Sequence, residues 1–355
     1  MSYSSLTRRI VNHSLPHPYI MLFIAPVIWS SSNIVGKLSV GLLSPYQLTF
    51  YRWVVAVVVL SVLFWPQIRR DWSTLVAHKW WLFGWGASAF GVFNLLLYGA
   101  YALHAKAVNV AIIHSVIPTL TIIFSFLYTR RFGHSLQWIG IGCSLFGVLW
   151  LLTAGQLSQL WHWQPSLADG LVLVSAIIYA LYSFALRWAP NVHWSSQMWA
   201  MSCAACLVAA PAWVIHGFDH SHWRWIEPAH PNGAQLFQAI ILILYVGLFI
   251  AIISKMFYQQ GTIAMGGVRA SVVMNLLPLF STLMALCVFA DERAVFGAVH
   301  TVALTCVVMG IALSEYGAYC YRRLQRSKPA TIRGQLLNYE HLKLQNNSKR
   351  YFLKK

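Results

Sequence analysis

Residues 87–98 read ASAFGVFNLLLY and residues 247–258 read GLFIAIISKMFY. Overlaid at an offset of 160, Ala87, Gly91, Asn94 and Tyr98 fall on Gly247, Ala251, Ser254 and Tyr258. Small, small, polar and tyrosine at i, i+4, i+7 and i+11 trace one face of an α-helix. Pro118 and Pro278 keep the same offset in the next apolar segment, which fixes the register of a duplicated chain. A second set lies nearer the start of each half. Trp29, Asn33 and Lys37 match Tyr179, Ser183 and Arg187 at an offset of 150, and a longer connection before Gln235 takes up the difference. If each half crosses a bilayer an odd number of times, the halves are inverted relative to one another, the architecture of alternating-access carriers.

Composition requires the bilayer. Apolar residues make up 58% of the chain and charged residues 9%, with a mean hydropathy of +0.60, whereas a soluble domain carries roughly a quarter of its residues as charges. A span needs about 20 apolar residues. Candidates lie at 19–42, 45–64, 80–100, 108–128, 136–154, 167–185, 197–214, 236–257, 262–289 and 296–316. The expected fold is therefore an all-α membrane protein of ten transmembrane helices in two inverted five-helix repeats. Its parts are a cytoplasmic segment (1–18), a first repeat (19–154), an outer linker (155–166), a second repeat (167–320) and a basic cytoplasmic tail (321–355). Arg8 and Arg9 before an apolar run have the look of a signal peptide, but the matching segment in the second half argues that the first span is retained.

Basic residues set the expected orientation. With the N-terminus inside, nineteen Lys and Arg fall on inside segments against Lys37, Lys106, Arg224 and Arg293 outside. Both termini are expected in the cytoplasm, with the chain integral to a plasma membrane, a bacterial inner membrane in particular. Ten of the 25 basic residues follow Tyr321, a distribution that suits anionic lipid headgroups rather than nucleic acid.

Several stretches carry a family resemblance: 29–37 (WSSSNIVGK), 44–52 (SPYQLTFYR), 113–118 (IHSVIP) with 275–278 (NLLP), and 138–148 (WIGIGCSLFGV). In order, spacing and duplication they resemble the EamA-type branch of the drug/metabolite transporter (DMT) superfamily, over roughly residues 20–314. The resemblance implies a ten-helix inverted repeat around a central cavity, moving metabolites, amino acids or drugs, often outward. The sequence departs from the family pattern at Arg131, where the first half commonly carries a glutamate; Glu292 keeps it in the second half.

An unpaired charge within a span costs about 2.5–3.5 kcal/mol on insertion scales, so Arg52 and Arg269 are expected to face a wet cavity or a partner. Arg269 is assigned to a substrate anion such as a carboxylate, and Arg52 either to the outer half of the pathway or to a structural clamp on carbonyls. Trp29, Asn33, Asn94, Tyr98, His114, Tyr179, Tyr182, Tyr258 and Asn275 complete the expected substrate cavity, with His114 read first as a hydrogen-bonded structural imidazole. Lys37, Arg52, Pro118, Arg187 and Pro278 are the gate or hinge candidates. The prolines free a carbonyl and soften a helix, and Lys37 and Arg187 act as gates or snorkel at helix ends. No acidic residue falls at the middle of a span, so no carboxylate proton relay is expected. Cys203 and Cys206, a C-x-x-C inside a span without a second pair, read as packing residues.

The expectation is a carrier rather than an enzyme, without cofactor or metal, that exports a small amino-acid-like or carboxylated solute as a monomer or homodimer. Two alternatives were weighed. His216, Asp219, His220, His222 and His230 in the outer loop have the chemistry of a metal-ion transporter or channel. A membrane-embedded enzyme would need acidic or metal-ligand clusters or a nucleophile elbow, and the sequence contains neither H-E-x-x-H nor G-x-S-x-G.

Overall fold

The computed structural model describes residues 17–129, 135–157, 166–219, 232–265 and 276–326, and its regular elements are all helices. In the first half these are α1 (Pro18–Leu38), α2 (Pro45–Ala77), α3 (Lys79–Ala102), α4 (Ala107–His114), α5 (Ile117–Thr129) and α6 (Ser135–Leu152). In the second they are α7 (Leu167–Ala185), α8 (Trp194–Asp219), α9 (Gly233–Leu244 and Ser254–Met265, joined by the wide turns of Tyr245–Ile253), α10 (Leu277–Val288) and α11 (Ala298–Arg326). Eight helical stretches are long and apolar enough to cross a membrane, and Ser135–Leu151 and Leu277–Val288 are shorter apolar helices.

Local chemistry sets the boundaries. Ser44 and Gln47 form a reciprocal capping box at the start of α2, and Asn232 and Gln235 form another at the start of α9. The Ser166 hydroxyl caps α7. The span expected at 45–64 runs on to Ala77 instead of stopping, bending at Phe64 (φ −123°, ψ 17°) two residues before Pro66, where the missing N–H and the ring interrupt the ladder. The span expected at 108–128 is broken: α4 ends at His114, Ser115 and Val116 turn, and α5 starts at Ile117. Pro118 and Pro278 thus sit in the first turn of a helical segment rather than kinking a continuous one.

Two elements repeat at matched places. α3 and α9 both widen into π-type turns, over Gly86–Val92 and Tyr245–Ile253, the local irregularity that membrane helices adopt where they line a site. α6 and α11 form the most extensive helix pair. A Cβ on Gly140 would strike the backbone of Gly310 and Ser314, and one on Gly310 that of Gly140 and Ser144. Likewise Gly317 faces Gln137, and Gly147 faces Ala303 and Val307. Rising residue numbers on one helix meet falling numbers on the other, so the pair is antiparallel, and small residues give the close approach.

Burial is inverted relative to a soluble protein. Ser30, Thr49, Ser144, Ser175, Ser254 and Ser281 have no exposed surface, while Val62 (75%), Leu63 (63%) and Trp80 (78%) stand on the outside. Such a contiguous apolar exterior is suited to lipid. The interior core gathers around α1, α4 and α7, and a second apolar cluster of Trp53, Phe90, Tyr182 and Met201 joins α2, α3, α7 and α8.

Candidate substrate cavity

A cavity of about 240 Å³ lies inside the helical bundle. α1 gives it Trp29, Ser32 and Asn33; α2 gives Arg52; α3 gives Phe93 and Leu97. The break in the α4–α5 helix brings His114, Ser115 and Pro118, α7 contributes Tyr179, and Leu277 and Pro278 come from the start of α10. Two helix N-termini therefore open toward the space, each bringing the positive end of its backbone dipole. A smaller recess of about 70 Å³ shares Trp29, Arg52, Phe93 and Tyr179 and adds Asn94 and Lys255.

Arg52 is only 7% exposed. Its Nη1 donates to Asn94 Oδ1 (2.9 Å) and to the Tyr98 hydroxyl (2.8 Å), while its Nε has no partner. Asn94 is itself fixed by donating to the Phe90 carbonyl at 2.6 Å, where the wide turns of α3 give way to α-helix. The guanidinium is thus held at Nη1 and left with a buried, unsatisfied donor at Nε. Among the described residues no carboxylate pairs with Arg52 or Lys255. Burying a cation in an apolar slab without an anion is costly, and a bound anion offsets that cost.

The remaining expected residues divide. Trp29 donates its indole N–H to the Ile250 carbonyl at 3.2 Å and packs against Tyr258. Asn33 donates to Ser281 at 3.1 Å. His114 stacks on Phe93, and its Nε2 lies 2.8 Å from the Ser175 hydroxyl. Tyr179 lines both spaces. Tyr98 and Tyr258 stand behind the wall, acting through Arg52 and Trp29. Tyr182 is not a cavity residue: it is 1% exposed, packs with Trp85 and Phe90, and points its hydroxyl at the Met201 sulfur. Helical spacing puts it beside Tyr179, and their rings do meet at 5.6 Å, but the roughly 60° by which i+3 falls short of a full turn aims Tyr182 into the neighbouring core. Arg52, expected at a gate, is a wall residue of the cavity. Arg269, Asn275, Arg131 and the loop histidines at 220, 222 and 230 lie outside the described residues.

Lys255 is the charged lining residue that sequence reasoning misses: it is one of the nineteen basic residues assigned to inside segments, although it sits one position after Ser254, on the stretch that decides the duplication. A lysine inside an otherwise apolar span was itself the available signal.

A cluster of charges lies at one end of the bundle. Lys37 Nζ donates to Asp291 Oδ2 (2.6 Å) and Glu292 Oε1 (2.7 Å), and Lys106 Nζ reaches the same Asp291 oxygen at 3.0 Å. Glu292, 2% exposed, also accepts from the backbone N–H of Ala107 at 2.7 Å, capping α4. The hydrogen bonds from Lys37 and Lys106 hold the Asp291 carboxyl down at about 2, against an ordinary 3.8. This cluster lies beside the C-terminal ends of α1 and α3, and Gly99 of α3 faces Leu171 in the first half of α7. Arg187, at the far end of α7, therefore occupies the opposite end of the bundle. There it donates to Ser125 (3.1 Å) and the Phe184 carbonyl, and its guanidinium lies over the Phe184 ring. It has no carboxylate partner among the described residues.

The EamA-like transporter family model matches residues 17–153. No curated protein matches the chain. A solved structure described only as "Crystal structure of protein" is 18% identical, with a TM-score of 0.55 over 86% of this chain and 98% of its own. At that identity the likeness carries the fold alone, and it extends well beyond the first half.

Proposed function

We propose, from the match of residues 17–153 to the EamA-like transporter family, a family of the drug/metabolite transporter superfamily, that the whole chain is a carrier. In this reading it exports a small carboxylate-bearing or amino-acid-like metabolite across a plasma membrane by alternating access. The single observation behind the substrate class is the buried guanidinium of Arg52, which lines the cavity, is half-satisfied by Asn94 and Tyr98, keeps a buried Nε without a partner, and has no neutralising carboxylate among the described residues. The size of the space argues for a metabolite: about 240 Å³ lies below the roughly 300–1,000 Å³ of pockets that take drug-sized ligands.

Ten spans in two inverted repeats are the architecture we favour, supported by the matched wide turns of α3 and α9 and by the antiparallel pairing of α6 with α11. The basic-residue bias puts both termini in the cytoplasm and Lys37 at the outer face. The Lys37–Glu292 pairing at one end, and an Arg187 with no carboxylate partner among the described residues at the other, support a resting state that faces inward, from which an exporter loads its solute. No step of covalent chemistry is needed; the solute is bound, enclosed and released.

The test is flux in proteoliposomes with a panel of carboxylated, neutral and cationic solutes. The wild type is expected to move carboxylated solutes. Arg52→Gln is expected to lower that flux by at least about tenfold, the scale for losing a buried charged contact. Transport of cations or neutral drugs with equal efficiency, unchanged in Arg52→Gln, would overturn the substrate class.

A further inference from the structure

We propose that Arg52 and Lys255 form a two-point anion site and that Lys255 selects solutes with two carboxylates over those with one. This rests on the carboxylate-carrier reading and sharpens it. The two cations come from different halves of the chain, on α2 and α9, yet both line the same recess of about 70 Å³. Their helices are drawn together at Gly247, where a Cβ would overlap Val55 and approach the Arg52 carbonyl. The carboxylates with contacts described above are occupied elsewhere, Asp291 and Glu292 at the Lys37 end of the bundle. Asp71 accepts from the His193 backbone and Asp169 from Ser166.

Two positive groups in one poorly hydrated recess repel one another, and each carries its own penalty for lacking a counter-charge. A monocarboxylate compensates one of them. A dicarboxylate compensates both, provided its body is short and apolar enough to lie against Trp29, Phe93, Tyr179 and Ile250, the wall common to both spaces. The chemistry of each end differs. With Nη1 of Arg52 occupied and its buried Nε unpartnered, the guanidinium keeps unused hydrogen-bond donors for a planar carboxylate. Lys255 supplies a point charge on a flexible stem, which tolerates some variation in the distance between the two acid groups. The repeat position equivalent to Lys255 is Leu95, so the second cation is a feature of one half and not a product of the duplication.

The experiment uses the full chain in proteoliposomes and compares succinate and glutarate with their monomethyl esters, which keep the length and remove one charge. The wild type is expected to carry the diacids at least about tenfold better than the monoesters. Lys255→Gln is expected to bring the diacid-to-monoester flux ratio down to about one, with an unchanged midpoint of thermal unfolding in detergent showing that the variant is folded. Lys255→Arg is expected to keep most of the preference. Equal carriage of diacid and monoester by the wild type would overturn the two-point site, as would an equal loss of both in Lys255→Gln. If the wild type carries neither while moving cationic or neutral solutes, the carboxylate reading itself fails.

Discussion

Glu292 is the acidic side chain that holds the Lys37 end of the bundle together. Buried and joined to Lys37 and to the first backbone N–H groups of α4, it pairs a charge and caps a helix at once. Asp291, half exposed beside it, does neither in a dry environment, and solvent screens most of what its ion pairs contribute. Glu292→Gln should therefore destabilise the protein by about 2–3 kcal/mol, the scale of buried charged hydrogen bonds, seen as a lowered midpoint of thermal unfolding in detergent. Asp291→Asn should be close to neutral; equal effects of the two would contradict this division. The sign of the pH dependence follows. The Asp291 carboxyl is depressed from 3.8 to about 2, so its contribution is complete above the ordinary value and is lost as pH falls through about 2. Asp291 cannot then be the source of any change in transport between neutral and mildly acidic pH. Sequence alone exposed Lys37 as a gate candidate because its repeat partner, Arg187, is also basic. It did not expose the Lys37–Glu292 pairing, which joins residues 255 positions apart, or the inward turn of Tyr182, which depends on how α7 meets α3 and α8.

Helix 108–128 was legible as an apolar span, but its break was not. Proline at position 118 gave a reason for a bend, yet the chain turns earlier, at Ser115 and Val116, and uses the proline to start again. The Leu120 N–H to Val116 carbonyl bond recurs as Phe280 N–H to Leu276, so both restarts have the same geometry. Alanine at either proline restores a backbone N–H and removes the ring that starts the segment. Pro118→Ala and Pro278→Ala should each lower turnover by about tenfold while changing the half-saturating solute concentration far less, because a moving element is stiffened and only an apolar patch of the cavity wall is trimmed. Initial-rate flux measurements over a range of solute concentration check this. Wild-type turnover in both variants would reduce the prolines to static features. The extension of α2 past residue 64 was also hidden from sequence, because Pro66 and the charges at Arg69, Arg70 and Asp71 mark the end of an apolar run but not the end of a helix.

At the scale of the molecule, hydropathy and duplication made the all-helical membrane class readable, because lipid leaves the backbone no other economical choice. The cavity was readable only in outline: repeat spacing identifies a shared helix face, but which residues of that face reach the centre depends on packing between halves. Lys255 shows the cost, since a topology count treats a cation in a span as belonging to the nearer loop. Topology itself is open to a direct check. In a cysteine-free background Leu103→Cys, exposed between α3 and α4, should react with an impermeant thiol reagent added to intact cells. His78→Cys, exposed between α2 and α3, should react only after permeabilisation. Labelling of both from outside would remove the proposed orientation.

The α6–α11 seam has one more implication. Gly140, Ser144 and Gly147 recur as Gly310, Ser314 and Gly317 at an offset of 170, and each set meets the other in reverse order along the helix. The surface by which either half holds its neighbour is thus its own complement, in the way a two-fold dimer interface is. On the proposed inverted-repeat reading, a five-helix half carrying that face is able to pair with a second copy of itself lying upside down in the bilayer. Tandem fusion of two such genes would then have preserved an existing partnership rather than created one, freeing the halves to diverge into the unequal ends seen at Lys37 and Arg187.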